Sequence, residues 1–130
     1  MPRSLHPLPK CYLVIAYAPA GVTAARGNRA FNAYIADPAR GLVLTHDHFV
    51  GTVGGYAVFA CTTPGEVERL QAAPELPGWN LHVHPLTFAA TAVEWLYQAD
   101  FTLAAYRGRR LAELYQEYLQ SEQHARLGQR

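Results

Sequence analysis

The amino-acid sequence predicts an α+β fold in which one antiparallel sheet carries helices on one face. Three observations support this prediction: four short runs rich in β-branched and aromatic residues, two helix patterns between them, and a glycine-bearing loop that joins the second run to the third. The resulting order is strand, helix, strand, strand, helix, strand, which is the ferredoxin-like split βαβ arrangement.

The first strand and the first helix are predicted within residues 11–36. Residues 11–18 (CYLVIAYA) form a compact apolar run that ends at a Pro-Ala-Gly turn, as expected of a buried strand. The helix is predicted from Thr23, a suitable N-cap, to Ala36. It ends there because Asp37 precedes a proline, and such a residue avoids helical dihedral angles.

A hairpin, a second helix and a fourth strand follow. Gly41–Val50 and Tyr56–Cys61 are predicted strands joined by a loop that contains three glycines. The run Thr63-Pro64-Gly65-Glu66 predicts a capping box that opens a helix reaching about Ala73. Trp79–Leu86 is the fourth predicted strand.

This order of elements predicts the strand order 4-1-3-2, with the second and fourth strands at the edges. The strands are apolar on both faces, whereas the helices can cover only one face. The other face therefore needs a partner sheet. We expect a homodimer in which the two sheets face each other, a dimeric α+β barrel.

Residues 87–130 extend the chain beyond this fold. Thr91-Ala92-Val93-Glu94 forms a second capping box, and apolar residues recur with helical spacing on both sides of Gly108. The glycine either bends one long helix or separates two. We expect an N-terminal lead (residues 1–10), a ferredoxin-like domain (11–86) and a C-terminal helical extension (87–130) that packs on it.

The charge balance excludes two kinds of partner. Eleven basic and ten acidic residues give a net charge of +1, too little for a field that attracts nucleic acid or acidic lipid.

No run approaches the roughly 18 apolar residues that span a bilayer. The proline-rich N-terminus lacks the apolar region of a secretory signal. We therefore expect a cytoplasmic protein with no nucleic-acid or membrane partner.

Four of the six histidines form two His-x-His pairs, His46 with His48 and His82 with His84. Side chains two residues apart on a strand share a face, so each pair presents two imidazoles side by side. All four are candidate catalytic residues, because imidazole exchanges protons near neutral pH. No cofactor is required, but a transition metal such as zinc could bind where the edges of two subunits bring the pairs together. The alternative is that these are half-exposed edge histidines that bind nothing.

Three other residues are candidate ligand contacts. Arg29, early in the first helix, suits an anionic group, and Tyr56 and Trp79 suit an apolar pocket. A solvated arginine and two core aromatic residues explain the same pattern. The antiparallel order also brings Cys11 near Cys61, so a disulfide is conceivable if both point to one face, although buried and inert thiols are the simpler interpretation.

The segment Cys11–Leu86 resembles the YCII-related proteins of the dimeric α+β barrel superfamily. The similarity rests on the opening strand Tyr12-Leu13-Val14-Ile15, the glycine hairpin from Gly51 to Tyr56, and the closing strand His82-Val83-His84-Pro85-Leu86. That family usually carries a histidine in its first helix and an aspartate before a proline after its second helix. These positions fall at about Phe31 or Asn32 and at Ala73, so the resemblance does not carry this acid–base pair over.

Two classes of function fit the sequence. The first is an enzyme that acts on a small apolar or aromatic molecule, with the four histidines as polar and acid–base anchors. The alternative is a non-catalytic domain that binds a small molecule or a metal, or a structural assembly module whose added helices bind a partner. The sequence lacks a phosphate-binding loop, a dinucleotide fingerprint, a nucleophile elbow and a CxxC motif, which disfavours nucleotide-driven and serine-triad chemistry.

Overall fold

The computed structural model of the chain describes residues 6–128, except for the side chains of residues 124 and 126–128. The elements are β1 (Lys10–Tyr17), α1 (Ala24–Ala36), a 3-10 helix (Pro38–Arg40), β2 (Leu42–His48), β3 (Gly54–Cys61), α2 (Pro64–Gln71), β4 (Asn80–Pro85), α3 (Ala92–Arg107) and α4 (Leu111–Gly128). The predicted order of strands and helices is confirmed. The 3-10 helix is an addition that the sequence patterns did not indicate.

The chain divides into two compact units, Met1–Ala92 and Val93–Arg130. The first unit holds the sheet with α1 and α2, and the second holds α4 and nearly all of α3. The expected N-terminal lead falls partly on residues 1–5, which lie outside the described residues. The expectation that the C-terminal helices pack on the sheet domain stays a prediction.

The sheet has the order β2-β3-β1-β4 with antiparallel pairing throughout, so the predicted strand order is confirmed. This arrangement is compatible with a ferredoxin-like fold. Helices α1 and α2 pack on one face, where Val14 and Phe59 contribute to the buried core. We call this the helix face. The opposite face, here the far face, carries Leu13, Ile15 and Tyr56, because side chains alternate along each strand.

Local signals in the sequence explain where both helices begin. The Thr23 hydroxyl accepts a hydrogen bond from the backbone N–H of Arg26, as expected of an N-cap. At α2 the capping box is complete: Thr63 Oγ1 accepts from the Glu66 backbone at 3.2 Å, and the Glu66 carboxylate accepts from the Thr63 backbone at 3.3 Å. Both predicted helix starts are therefore confirmed.

A buried arginine joins α1, the 3-10 helix and α2. The guanidinium of Arg40 donates to the backbone oxygens of Tyr34 and Ala72, each at 2.7 Å, and to that of Arg69 at 2.8 Å. It also pairs with the Glu75 carboxylate at 2.9 Å and lies 4.0 Å from the centroid of the Tyr34 ring. A buried charge is tolerated when it is paired and hydrogen-bonded in this way. Arg40 thus fixes how the two helices sit beside each other.

Cys11 and Cys61 are both buried. In the register Cys11 pairs with Ala60 and Cys61 pairs with Lys10, so the two cysteines lie on neighbouring strands but on opposite faces of the sheet. A disulfide cannot form without rebuilding the strands. Burial, with the charges of Glu66 and Cys11, raises the pKa of the Cys61 thiol to about 12. The interpretation as buried thiols is the one that the structure favours.

The second unit consists of two helices that meet at Gly108. The backbone of Gly108 has φ of +66°, a left-handed conformation that favours glycine and ends α3. The sequence thus separates two helices at this point rather than bending one. Asp100 accepts a hydrogen bond from the Leu111 backbone at 2.7 Å and forms an ion pair with Arg110, which ties the start of α4 to α3. Among residues 6–128, no helix is long and apolar enough to cross a membrane.

Candidate functional site

A β-bulge decides which face of the sheet His46 and His48 occupy. Val43 pairs with Phe59, but Thr45 pairs with Val58, so β2 contributes one residue more than β3 at this point. Without the extra residue, the alternation would place both histidines on the far face. With it, both lie on the helix face, since a shift of one residue exchanges the two faces of a strand.

The ring of His48 is held in place by α1. Its Nε2 lies 3.2 Å from Oδ1 of Asn32, and its ring packs edge-on against Phe31 with 5.9 Å between the ring centroids. Because an amide oxygen only accepts, Nε2 is the donor in this contact. Nδ1 is buried and has no hydrogen-bond partner among the described residues. Native proteins rarely leave a buried polar atom unpaired, so this atom marks the region around His48 as a candidate functional site.

His46 is the accessible member of the pair. Its side chain is exposed, and its ring lies perpendicular to that of His48 with 5.8 Å between the centroids. The backbone N–H of His48 donates to the Asp47 carboxylate at 2.8 Å, which steadies the strand between the two rings. His46 can therefore reach a ligand, whereas His48 supports it from behind.

His46 also lines an open groove of about 540 Å³ between α1 and β2. The groove walls are mainly apolar, and three polar side chains reach into it. The lining residues are Asn32, Ile35, Ala36, Asp37, Pro38, Gly41, Leu42, Val43 and His46. A groove of this size with apolar walls and few polar groups is typical of a site for a small molecule.

Asp37 is the charged group of the groove. Its carboxylate pairs with Arg69 at 2.6 Å and with Arg40 at 3.4 Å, and it accepts a hydrogen bond from the backbone of Ala39. The hydrogen bond from Arg69, followed by that from Ala39, lowers the pKa of Asp37 below its ordinary value. Asp37 therefore stays ionised at neutral pH and gives the groove a compensated negative charge rather than a free acid.

His82 and His84 lie elsewhere on the sheet. They pair with Ile15 and Leu13 of β1, so both are on the far face, at the β4 edge. Both side chains are exposed, and their rings are parallel with 6.5 Å between the centroids. The two His-x-His pairs thus occupy opposite edges and opposite faces of one chain. That the two pairs approach each other across two copies of the chain stays a prediction. It would require the β2 edge of one sheet to lie near the β4 edge of the other.

The three candidate ligand contacts do not come together either. Arg29 is exposed on α1. Tyr56 is on the far face, where its hydroxyl is 3.5 Å from that of Thr45. Trp79 precedes β4 and stacks on Phe31 with 6.2 Å between the centroids, so it serves the core. Among the described residues, no group of three or more His, Cys, Asp or Glu side chains is placed to hold a metal ion.

Sequence reasoning missed the groove residues Asn32 and Asp37 as site residues. In the sequence, Asn32 marks only one of two positions where the family's histidine is absent, and Asp37 marks only the end of a helix. Asn32 stands among apolar residues in the C-terminal half of the first helix, and nothing local shows that β2 turns its histidines towards it.

No protein-family model matches the chain, and a search of the curated proteins finds no match.

Proposed function

We propose that the protein binds a small molecule with an apolar or aromatic body in the groove between α1 and β2. His46 contacts the polar group of the ligand and exchanges a proton with it, and His48 positions His46. The observation that carries the proposal is the coincidence of an accessible imidazole with an apolar groove of suitable size. An acid–base group beside a bound substrate is the arrangement that general acid–base catalysis requires.

The polar atoms of the groove support a neutral or weakly acidic ligand. Asp37 is already paired with two arginines, so it would not need a cation from the ligand. Asn32 retains its amide N–H groups while its oxygen is used by His48. A hydroxyl, carbonyl or carboxyl group could therefore accept from Asn32 and exchange a proton with His46.

In the same proposal the protein is a YCII-like homodimer, a dimeric α+β barrel whose sheets pair through their far faces. The half-buried side chains of Leu13 and Ile15 and the 40% exposed ring of Tyr17 support this pairing, because they are apolar surface that a second sheet would cover. The resemblance adds one point. The family's first-helix histidine falls at about Phe31 or Asn32 here, and both of these residues contact an imidazole supplied by β2 instead.

A fragment screen tests the proposal. Phenols, benzoic acids and aromatic amides are added to ¹⁵N-labelled protein, and amide shifts are followed. We expect the shifts to concentrate at Asn32, Val43 and His46. His46→Ala should weaken the best fragment about threefold to tenfold, the value of one hydrogen bond. His84→Ala removes an equally exposed histidine on the far face and should leave the Kd unchanged.

Three outcomes contradict the proposal: no fragment binds at millimolar concentration, the shifts map to the far face, or both substitutions weaken binding equally. The role of His48 needs a separate variant. His48→Ala should reduce any proton-exchange activity and shift its pH profile, because His46 loses the ring beside it while the groove-lining side chains of Asn32 and His46 are kept.

A further inference from the structure

We infer that α3 and α4 form a docking surface for the same two helices of a second copy of this chain. The inference is independent of the ligand groove, since it concerns only the unit Val93–Arg130.

Unusually many apolar side chains in this unit face water. Eight of them are at least 39% exposed: Val93, Leu96, Tyr97, Phe101, Tyr106, Tyr115, Tyr118 and Leu119. None of the sixteen residues of α3 is buried. Its apolar residues surround the helix, and a helix of that kind is normally covered on several sides. Burial of an apolar face, rather than intrinsic propensity, is what stabilises most protein helices.

Four of these exposed side chains, those of Val93, Leu96, Tyr97 and Tyr115, line a groove between the two helices. Its volume is about 730 Å³, and its lining is Val93, Leu96, Tyr97, Asp100, Arg110, Leu111, Ala112 and Tyr115. The two charged members, Asp100 and Arg110, pair with each other. What remains for a partner is aliphatic and tyrosine surface, the composition found at the centres of stable interfaces.

The area available matches what a stable dimer needs. Seven of the eight side chains fall on one stripe of each helix, Val93, Leu96, Tyr97 and Phe101 on α3 and Tyr115, Tyr118 and Leu119 on α4. With about 150–250 Å² for a whole aromatic side chain and somewhat less for Leu or Val, these seven offer on the order of 800 Å². A specific interface of standard size buries about 800 Å² on each partner. One surface of this unit, paired with a copy of itself, would therefore suffice.

The charges favour a second copy over other partners. Among the described side chains of this unit, Arg109 pairs with Glu113 and Glu117, Arg110 pairs with Asp100, and Arg107 donates to the Tyr106 carbonyl. The carboxylates offset the charges of Arg109 and Arg110, so these two residues do not form a cationic patch that would recruit nucleic acid or an acidic lipid surface. A surface rich in tyrosine and leucine, whose charged pair is internally matched, complements itself across a two-fold axis.

The helix lengths suit such a pairing. At 1.5 Å per residue, α3 and α4 are about 24 Å and 27 Å long. Two helices of similar length from each copy make a four-helix bundle, in which each copy fills the groove of the other.

Photo-crosslinking between isotopically distinct copies tests the inference. Full-length protein with Tyr115→p-benzoylphenylalanine is prepared in ¹⁴N and ¹⁵N forms, mixed at tens of micromolar, irradiated and digested. We expect mixed-isotope crosslinks between Tyr115 and residues 92–119 of the other copy. The double substitution Leu96→Glu/Tyr97→Glu should reduce their yield about tenfold or more, because it places charge in the interface core.

Val50→Glu is the matched control, since Val50 is fully exposed in the first unit and lies outside this surface. It should leave the crosslink yield unchanged. The inference is overturned if crosslinks join only peptides of the same isotope, or if the other copy is joined only through its sheet. It is equally overturned if the double substitution leaves the yield unchanged while circular dichroism shows intact helices.

Discussion

The two units each contain an arginine surrounded by carboxylates, but the two arginines do different things. Arg40 in the first unit is fully buried, and besides its ion pairs it satisfies three backbone carbonyls. The side chain of Arg109, just before α4 in the second unit, is 41% exposed and pairs with Glu113 and Glu117 of that helix. The helices of the first unit are therefore fixed by buried contacts. Those of the second unit make their polar contacts at the surface and leave apolar side chains exposed.

The largest expected effect is at Arg40. Arg40→Met should lower the free energy of unfolding by about 3–5 kcal/mol, because it leaves three carbonyls and the Glu75 carboxylate without their buried donor. Urea denaturation followed by tryptophan fluorescence measures this. Arg109→Met is the matched control, and it should not change the unfolding of the first unit. If both substitutions lower the free energy of unfolding equally, the contrast between the buried Arg40 cluster and the exposed Arg109 cluster is contradicted.

A second prediction compares packing density. A Cβ on Gly55 would lie 2.3 Å from the Asp47 carbonyl oxygen and 2.9 Å from Cε2 of Phe31, whereas one on Gly65 would meet nothing within 4 Å. Gly55→Ala should therefore destabilise the protein by about 1–3 kcal/mol through overpacking. Gly65→Ala should be neutral within about 0.5 kcal/mol. Thermal unfolding distinguishes the two variants. A tolerated Gly55→Ala would show that β3 is not closely packed against β2 and α1 at this point.

The smallest expected effect is a pH dependence centred on Asp37. The pKa of Asp37 is lower in the folded protein than its ordinary value of 3.8, chiefly because Arg69 donates a hydrogen bond to it. Ionised Asp37 therefore stabilises the fold above pH 3.8, and this contribution is lost as the pH falls through the lower folded value. Tm measured from pH 5 to pH 2.5 should fall less steeply for Asp37→Asn than for the natural protein. Parallel curves would contradict this assignment.

Glu75 sharpens the same experiment. Its partial burial acts to raise the pKa of its carboxyl, but the hydrogen bond from Arg40 and further contacts outweigh this and keep the pKa below its ordinary value. The loss of stability in acid should therefore persist in part when Asp37 is replaced.

Much of the fold followed from local signals. Thr23 and Thr63 cap the helices that they were expected to cap, and the strand order follows from the order of the elements. Alternation along a strand correctly made neighbours of His46 and His48, and of His82 and His84. These features depend on residues a few positions apart, so the sequence displays them directly.

The candidate site was less predictable, because it depends on contacts distant in sequence. The burial of Arg40 requires carbonyls from α1 and α2 to converge on one side chain. The direction of His46 depends on a single unpaired residue between Val43 and Thr45, which is visible only once β2 is aligned with β3. Asn32 becomes a site residue for the same reason.

By itself, the sequence determined the elements, their order and which histidines stand side by side, since propensity, capping and strand periodicity act over a few residues. Only the tertiary structure decided which face each pair occupies and which groove it borders. Side-chain direction in a sheet is set by register, and register is a property of two strands that no single segment contains.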